Sequence, residues 1–168
     1  SIFDLSQNGH MPMISKDGRY VISYNGEIYN WREIRKKLHF NKWKSKSDTE
    51  TVLYSYIEKG TKCLDLFRGM FAISIWDNKE KKLFIARDKE AIKPLFYSNI
   101  NNQFIFSSEI KSLLLFNIKK EINYNELYNF FRWGLIDHSK KTLFKNIFQL
   151  EPGNYLNVSS SGLIEQKN

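Results

Sequence analysis

Three features of this 168-residue sequence predict an α+β fold. Two stretches with helical apolar spacing come early, between residues 31 and 60. Short alternating segments joined by tight turns follow from Gly69 to Ser107. Helical spacing then returns at residues 109–115 and 125–133. A helix pair, a run of antiparallel strands and further helices make a layered α+β sandwich. The length fits one domain able to bury an ordinary core.

Taken in order, residues 4–13 read as loop, broken by Asn8-Gly9 and Pro12. Lys16-Asp17-Gly18 is a tight turn leading into a strand at 19–24, where Val21 and Ile22 are β-branched. Asn25-Gly26 then predicts a turn requiring positive φ. Asn30 is placed to cap a helix over 31–38, with Trp31, Ile34 and Leu38 on one face. The turn would present an amide, an unhindered N–H and the Glu27 carboxylate within three residues. Such a trio can hold a developing oxyanion and a ligand cation; equally, Asn-Gly serves many plain hairpins.

Ser47 with Glu50 reads as a capping box before a helix carrying Val52, Leu53, Tyr56 and Ile57. Asp48 falls in its first turn, where the helix dipole stabilises a carboxylate and where a fixed anion could also receive a ligand ammonium. Gly60 closes this helix, and 62–67 predicts another short one. Residues 70–76 alternate with Phe71, Ile73 and Ile75 on one face, Asp77 to Glu80 turns, and 82–87 returns as a hairpin. A charged loop at 88–93 precedes strands at 94–97 and 104–107. The helix at 125–133 is expected to turn Leu127, Phe130 and Phe131 inward, with Gly134 ending it. Residues 142–153 are loop with a strand at 144–148, and 155–158 reads as strand.

Composition narrows the class. No apolar run is long enough to span a bilayer, and no charged-then-apolar leader is present, so a soluble cytoplasmic protein is expected. The net charge of +8 is spread over separate Lys and Arg clusters without interleaved aromatics, which argues against a nucleic-acid partner. Cys63 is the single cysteine. Flanked by Leu64 and Leu66, with no basic neighbour in sequence, it reads as a buried small hydrophobe and not a nucleophile. Both ends look cut, so the chain is expected to be a fragment.

Several stretches together resemble a known family. They are Ser1-Ile2-Phe3-Asp4-Leu5-Ser6, Gly9-His10-Met11-Pro12-Met13, Tyr24-Asn25-Gly26-Glu27-Ile28-Tyr29-Asn30 and Ser47-Asp48-Thr49-Glu50. The series continues through Gly69-Met70-Phe71-Ala72, Ala86-Arg87-Asp88, Ile92-Lys93-Pro94-Leu95-Phe96-Tyr97, Ser108-Glu109-Ile110-Lys111 and Pro152-Gly153-Asn154-Tyr155-Leu156. In this order they are similar to the glutaminase domain of glutamine-hydrolysing asparagine synthetases, class II amidotransferases with an N-terminal nucleophile. The resemblance implies a four-layer αββα sandwich of two antiparallel sheets, here lacking the family's first strand. It implies a glutaminase domain over residues 1–157, with 158–168 opening a linker to a synthetase domain.

What the family does assigns roles to residues. An N-terminal cysteine attacks the side-chain amide of L-glutamine, and the oxyanion is held by groups matching Asn25 and the Gly26 N–H. Glu27 matches a carboxylate that contacts glutamine, and Asp48 the residue that takes its α-ammonium. Ser1 and Ile2 would line the pocket. Released ammonia would pass to a synthetase domain, on the same polypeptide or a separate subunit, that uses ATP and Mg²⁺ to convert aspartate to asparagine. This domain itself needs no cofactor, and a homodimer stays open.

The departures are as informative. The family's nucleophilic cysteine and its carboxylate-binding Arg fall upstream of Ser1 in register, so the fragment alone is expected to be inactive, and Ser1 is not the nucleophile. Glu90-Ala91 stands where the family usually has Phe-Gly. The alternatives are a non-catalytic glutamine-binding or docking module, and an amidotransferase serving another carboxylate acceptor.

Overall fold

A computed structural model describes residues 11–100, 103–160, 162 and 164–167. Strands β1 (Met13–Ile14), β2 (Tyr20–Ile28), β3 (Gly69–Asp77), β4 (Lys82–Arg87), β8 (Tyr155–Ser159) and β9 (Ile164–Lys167) form one antiparallel sheet in the order β1-β2-β3-β4-β8-β9. A second sheet takes β5 (Phe96–Ile100), β6 (Gln103–Ser107) and β7 (Phe148–Gln149) in the order β6-β5-β7. Helices α1 (Trp31–Lys37) and α2 (Asp48–Lys59) come early, followed by a 3-10 helix at Gly60–Leu66; α3 (Ile110–Leu113) and α4 (Tyr124–Trp133) come late.

Three apolar interfaces separate four layers. Ile22, Tyr24 and Ile28 of β2, with Phe71, Ile73, Ile75 and Phe84, pack beneath Trp31 and Ile34 of α1 and Val52 and Leu53 of α2. The other face of the large sheet sends Ala72, Ile85, Leu156 and Val158 against Leu95, Leu150, Tyr97 and Phe106. Beyond the small sheet, Leu113, Ile118 and Ile147 meet Phe96, Ile105 and Ile110. Because the large sheet is covered on both faces, β3 and β4 read as nearly continuous buried runs. Fully burying one such side chain stabilises the fold by roughly 1.5–3 kcal/mol. The result is the expected α+β fold with an α-β-β-α layering.

The hairpin of β3 and β4 is as expected, with Asp77 paired to Lys82 at its turn. The tight turn before β2 is present too, with Gly18 at φ +74. Several local expectations are corrected. There is no turn at Asn25-Gly26: β2 runs unbroken to Ile28, pairing Asn25 with Ala72, Gly26 with Phe71 and Glu27 with Met70. Gly26 is required by proximity, since a Cβ there would stand 2.7 Å from Phe71 Cα and closer still to Met70 O. Its φ is not in the left-handed region.

Asn30 occupies the N-cap position of α1 without a side-chain cap. Its amide instead donates to Leu66 O (2.9 Å) and accepts from Arg68 N–H (3.0 Å), tying β2's exit to the segment before β3. Ser47 caps α2 through Thr49 N–H at 3.1 Å. Glu50, however, reaches back past Ser47 to the N–H of Ser45 (2.8 Å) and of Lys44 (3.0 Å). In α4 the buried side chain is Glu126; Phe130 and Phe131, expected inward, are 36% and 78% exposed. The strand expected at 144–148 shrinks to Phe148–Gln149, because β5 offers it only Phe96 and Tyr97 as partners. Past residue 157, where a linker was expected, β8 continues to Ser159 and β9 pairs with it.

Candidate active site

The residues singled out in sequence gather around the second half of β2. Along a strand successive side chains alternate in direction. Tyr24 and Ile28 are therefore buried under the helices, while Ser23 and Asn25 are exposed on the face toward the small sheet. Asn25 lines a cleft of about 210 Å³ between the sheets, with Ser23, Ala72, Ser74, Leu95 and Ser108 among its walls. Glu27, half-buried, follows Asn25 on the same side of the strand by this alternation.

The backbone at this edge is directed outward. Tyr24 N–H donates to Met11 Sδ at 3.3 Å, and Ile28 N–H to Asp48 Oδ2 at 2.9 Å, both away from β3. In an antiparallel ladder alternate residues direct their N–H groups to the same side. The N–H of Gly26, midway between those two, therefore points out of the same edge. An amide side chain and a strand-edge N–H on adjacent residues are the donor pair that a developing oxyanion needs.

Asp48 reaches this edge from the first turn of α2. It is 2% exposed, and its Oδ2 accepts both Ile28 N–H and the Tyr24 hydroxyl, the latter at 2.7 Å. Burial, then the neighbouring Asp48 charge, drives the Tyr24 phenol far above its ordinary value, so the hydroxyl stays a donor. Asp48 does not line the cleft holding Asn25; it sits at the strand's rim, behind the edge.

Two residues that sequence reasoning passed over position this carboxylate, one by a direct bond and one through the start of α2. One is Tyr24 itself, which read only as a strand residue. The other is Arg35, taken there for part of a solvated basic cluster. Its guanidinium lies 4.7 Å from the Trp31 ring and 4.2 Å from the Trp43 ring. From that slot it donates to Ser45 O (2.9 Å), Ser47 O (2.8 Å) and Thr51 Oγ1 (2.7 Å), with Glu50 at 3.5 Å. These bonds clamp the start of α2 and leave Asp48 unpaired with arginine among the described residues. The aromatic neighbours at 31 and 43 were the available signal.

Cys63 is 1% exposed, and burial pushes its thiol up to about 12. It cannot act as a thiolate near neutral pH. Ser1 and Ile2 lie outside the described residues. No three His, Cys, Asp or Glu side chains cluster as a metal site among the described residues.

Over residues 1–168 the sequence matches the family described as the glutamine amidotransferase domain. The chain belongs to that family. Among its relatives, asparagine synthetase [glutamine-hydrolyzing] 2 of Bacillus subtilis is 40% identical over 164 residues, covering 95% of this chain and 22% of the relative. Asparagine synthetase [glutamine-hydrolyzing] 3 of the same organism is 38% identical over 162 residues, covering 94% and 26%. A putative asparagine synthetase [glutamine-hydrolyzing] 2 of Methanocaldococcus jannaschii is 37% identical over 168 residues, covering 90% and 32%. The chain thus spans about a quarter of the length of the curated relatives it matches. The solved glutamine phosphoribosylpyrophosphate amidotransferase of B. subtilis superposes with a TM-score of 0.65 at 16% identity, covering 94% of this chain and 31% of that one. That likeness establishes the N-terminal-nucleophile amidotransferase fold. Within the amidotransferase domains, this chain is of the asparagine synthetase-like kind.

Proposed function

We propose that this domain binds L-glutamine at the outer edge of β2 and supports hydrolysis of its side-chain amide, delivering ammonia to an ATP-dependent synthetase part of the protein. In this reading Asn25 Nδ2 and Gly26 N–H hold the oxyanion, Glu27 contacts the glutamine, and Asp48 takes its α-ammonium. The attacking thiol comes from outside these 168 residues, since Cys63 is sealed in the core. Hydrolysis consumes glutamine and water and yields glutamate and ammonia. The synthetase part, with ATP and Mg²⁺, would then activate aspartate for amidation to asparagine, and the fragment alone would not turn over.

One observation carries the reading: an exposed Asn25 amide stands at the inter-sheet cleft beside an outward Gly26 N–H, and the buried Asp48 carboxylate meets the same strand edge two residues on. The test is Asn25→Ala in the polypeptide encoded by the complete gene. Loss of one oxyanion donor lowers glutamine hydrolysis by about 10²–10³. Because Asn25 is exposed, stability stays within about 0.5 kcal/mol. A folded variant that loses less than tenfold in activity rejects the assignment.

A further inference from the structure

Helix α4 carries its apolar stripe on the wrong side for this domain. Tyr124, Leu127, Tyr128 and Phe131 fall at i, i+3, i+4 and i+7, the spacing of a single helical face. Tyr124 is 70%, Tyr128 62% and Phe131 78% exposed. The side turned toward the domain holds Glu126, 8% exposed, whose Oε2 lies 3.3 Å from His138 Nε2, and Phe130, which lines a cavity with Phe96 and Ile110; Leu127 is half-buried between the two sides. Trp133, the last residue of the helix, is 63% exposed on the opposite side from Tyr124 and is not part of this stripe.

Such a helix does not sustain itself. At ten residues it is shorter than the roughly 12–15 that stand alone in water, and most helical stability comes from packing an amphipathic face. Its ends are held, by Asn123 N–H to Leu143 O (2.8 Å) and Gly134 N–H to Phe130 O (2.9 Å), but its stripe is not. Contiguous exposed aromatics on a protein surface mark an interaction site, and Tyr and Trp are enriched at the anchors of such sites.

We infer that the α4 stripe of Tyr124, Leu127, Tyr128 and Phe131 is the docking surface for the part of the longer polypeptide that lies outside this domain. The curated relatives devote only 22–32% of their length to the region matched here, so their chains carry a much larger body for such a face to meet. An i, i+3, i+4, i+7 row fits an apolar groove or a facing helix of that body. The inference rests on the proposed function insofar as the domain works joined to a synthetase part.

The experiment places p-benzoyl-L-phenylalanine at Phe131, and separately at Tyr128, in the complete gene product. Irradiated protein is digested and the cross-links mapped by mass spectrometry. Expected is an intramolecular cross-link from either position to a peptide outside residues 1–168. A cross-link to the same helix of a second copy, links confined to residues 1–168, or no cross-link from either position in folded protein overturns the inference. Neither glutamine nor ATP is needed, so the docking surface can fail while glutamine hydrolysis stands, and the reverse.

Discussion

Gly26→Ala tests whether this residue is chosen for a turn or for the close approach of two strands. The added Cβ would meet backbone, namely Phe71 Cα at 2.7 Å and the Met70 carbonyl, neither of which can swing aside. β2 and β3 must part at the Gly26–Phe71 pair. Overpacking of this kind costs about 1–3 kcal/mol, and weakening the one or two ladder bonds beside it adds about 1 kcal/mol each. The sum is about 2–5 kcal/mol, or a fall of roughly 5–15 °C in melting temperature for a chain of this size. Urea unfolding followed by tryptophan fluorescence measures it directly. Gly18→Ala is the control: its Cβ meets nothing within 4 Å, and only its φ of +74 resists, so about 1 kcal/mol is expected. A Gly26→Ala cost at or below the Gly18→Ala value would refute the steric argument.

Three further outcomes are expected. Asp48→Asn should raise half-saturation for glutamine in the complete gene product with kcat changed less than about threefold, while costing about 1–3 kcal/mol because Oδ2 accepts two buried bonds; steady-state kinetics and urea unfolding separate the two, and an unchanged half-saturation rejects the ammonium role. Ala91→Gly should stabilise the protein by about 1 kcal/mol, since Ala91 sits at φ +52, where only glycine is unstrained; a calorimetric melting temperature that falls would count against it. Asp77, held well below its ordinary value of 3.8 by hydrogen bonds from Arg19, supplies stability that is present above that value and lost as pH falls below it. Asp77→Asn should flatten the decline in melting temperature below about pH 4, and an unaltered acid limb would show that the pair is not what titrates.

Much of the fold was legible because its signals are local. The Ser47 cap followed by Val52 and Leu53 defines α2 wherever the helix packs, and the alternation of Phe71, Ile73 and Ile75 defines β3. Gly26 was misread because the reason for it, the β3 backbone across the ladder, lies more than forty positions away in sequence. A separation of 24 positions likewise hid Tyr24 as the donor to Asp48. Asp48 itself was visible, because a first-turn carboxylate is a local feature. In α4 the apolar period was read correctly and its direction only in part: Leu127 is half-buried and Phe130 lines a cavity with Phe96, while Phe131 faces outward. Position 91 is the converse case: glycine was expected there from the resemblance, and the positive φ of Ala91 supplies the physical cost of the departure.

Arg87 and Asp88 have a mechanical consequence. Arg87, at the end of the large sheet, donates to Lys93 O (2.8 Å), Ala91 O (3.0 Å) and Leu150 O (2.6 Å), while Asp88 receives the N–H groups of Phe71 (3.2 Å), Ile92 (2.9 Å) and Lys93 (3.1 Å). Leu150 in turn donates its N–H to Leu95 O at 2.8 Å, beside the small sheet. One cation and one anion thus tie the end of the large sheet to the loop that leads into the small one and to Leu150 beside it. The cleft below Asn25 therefore opens between sheets pinned to each other at one end, and under the proposed function its width would set how bulky a side chain is admitted.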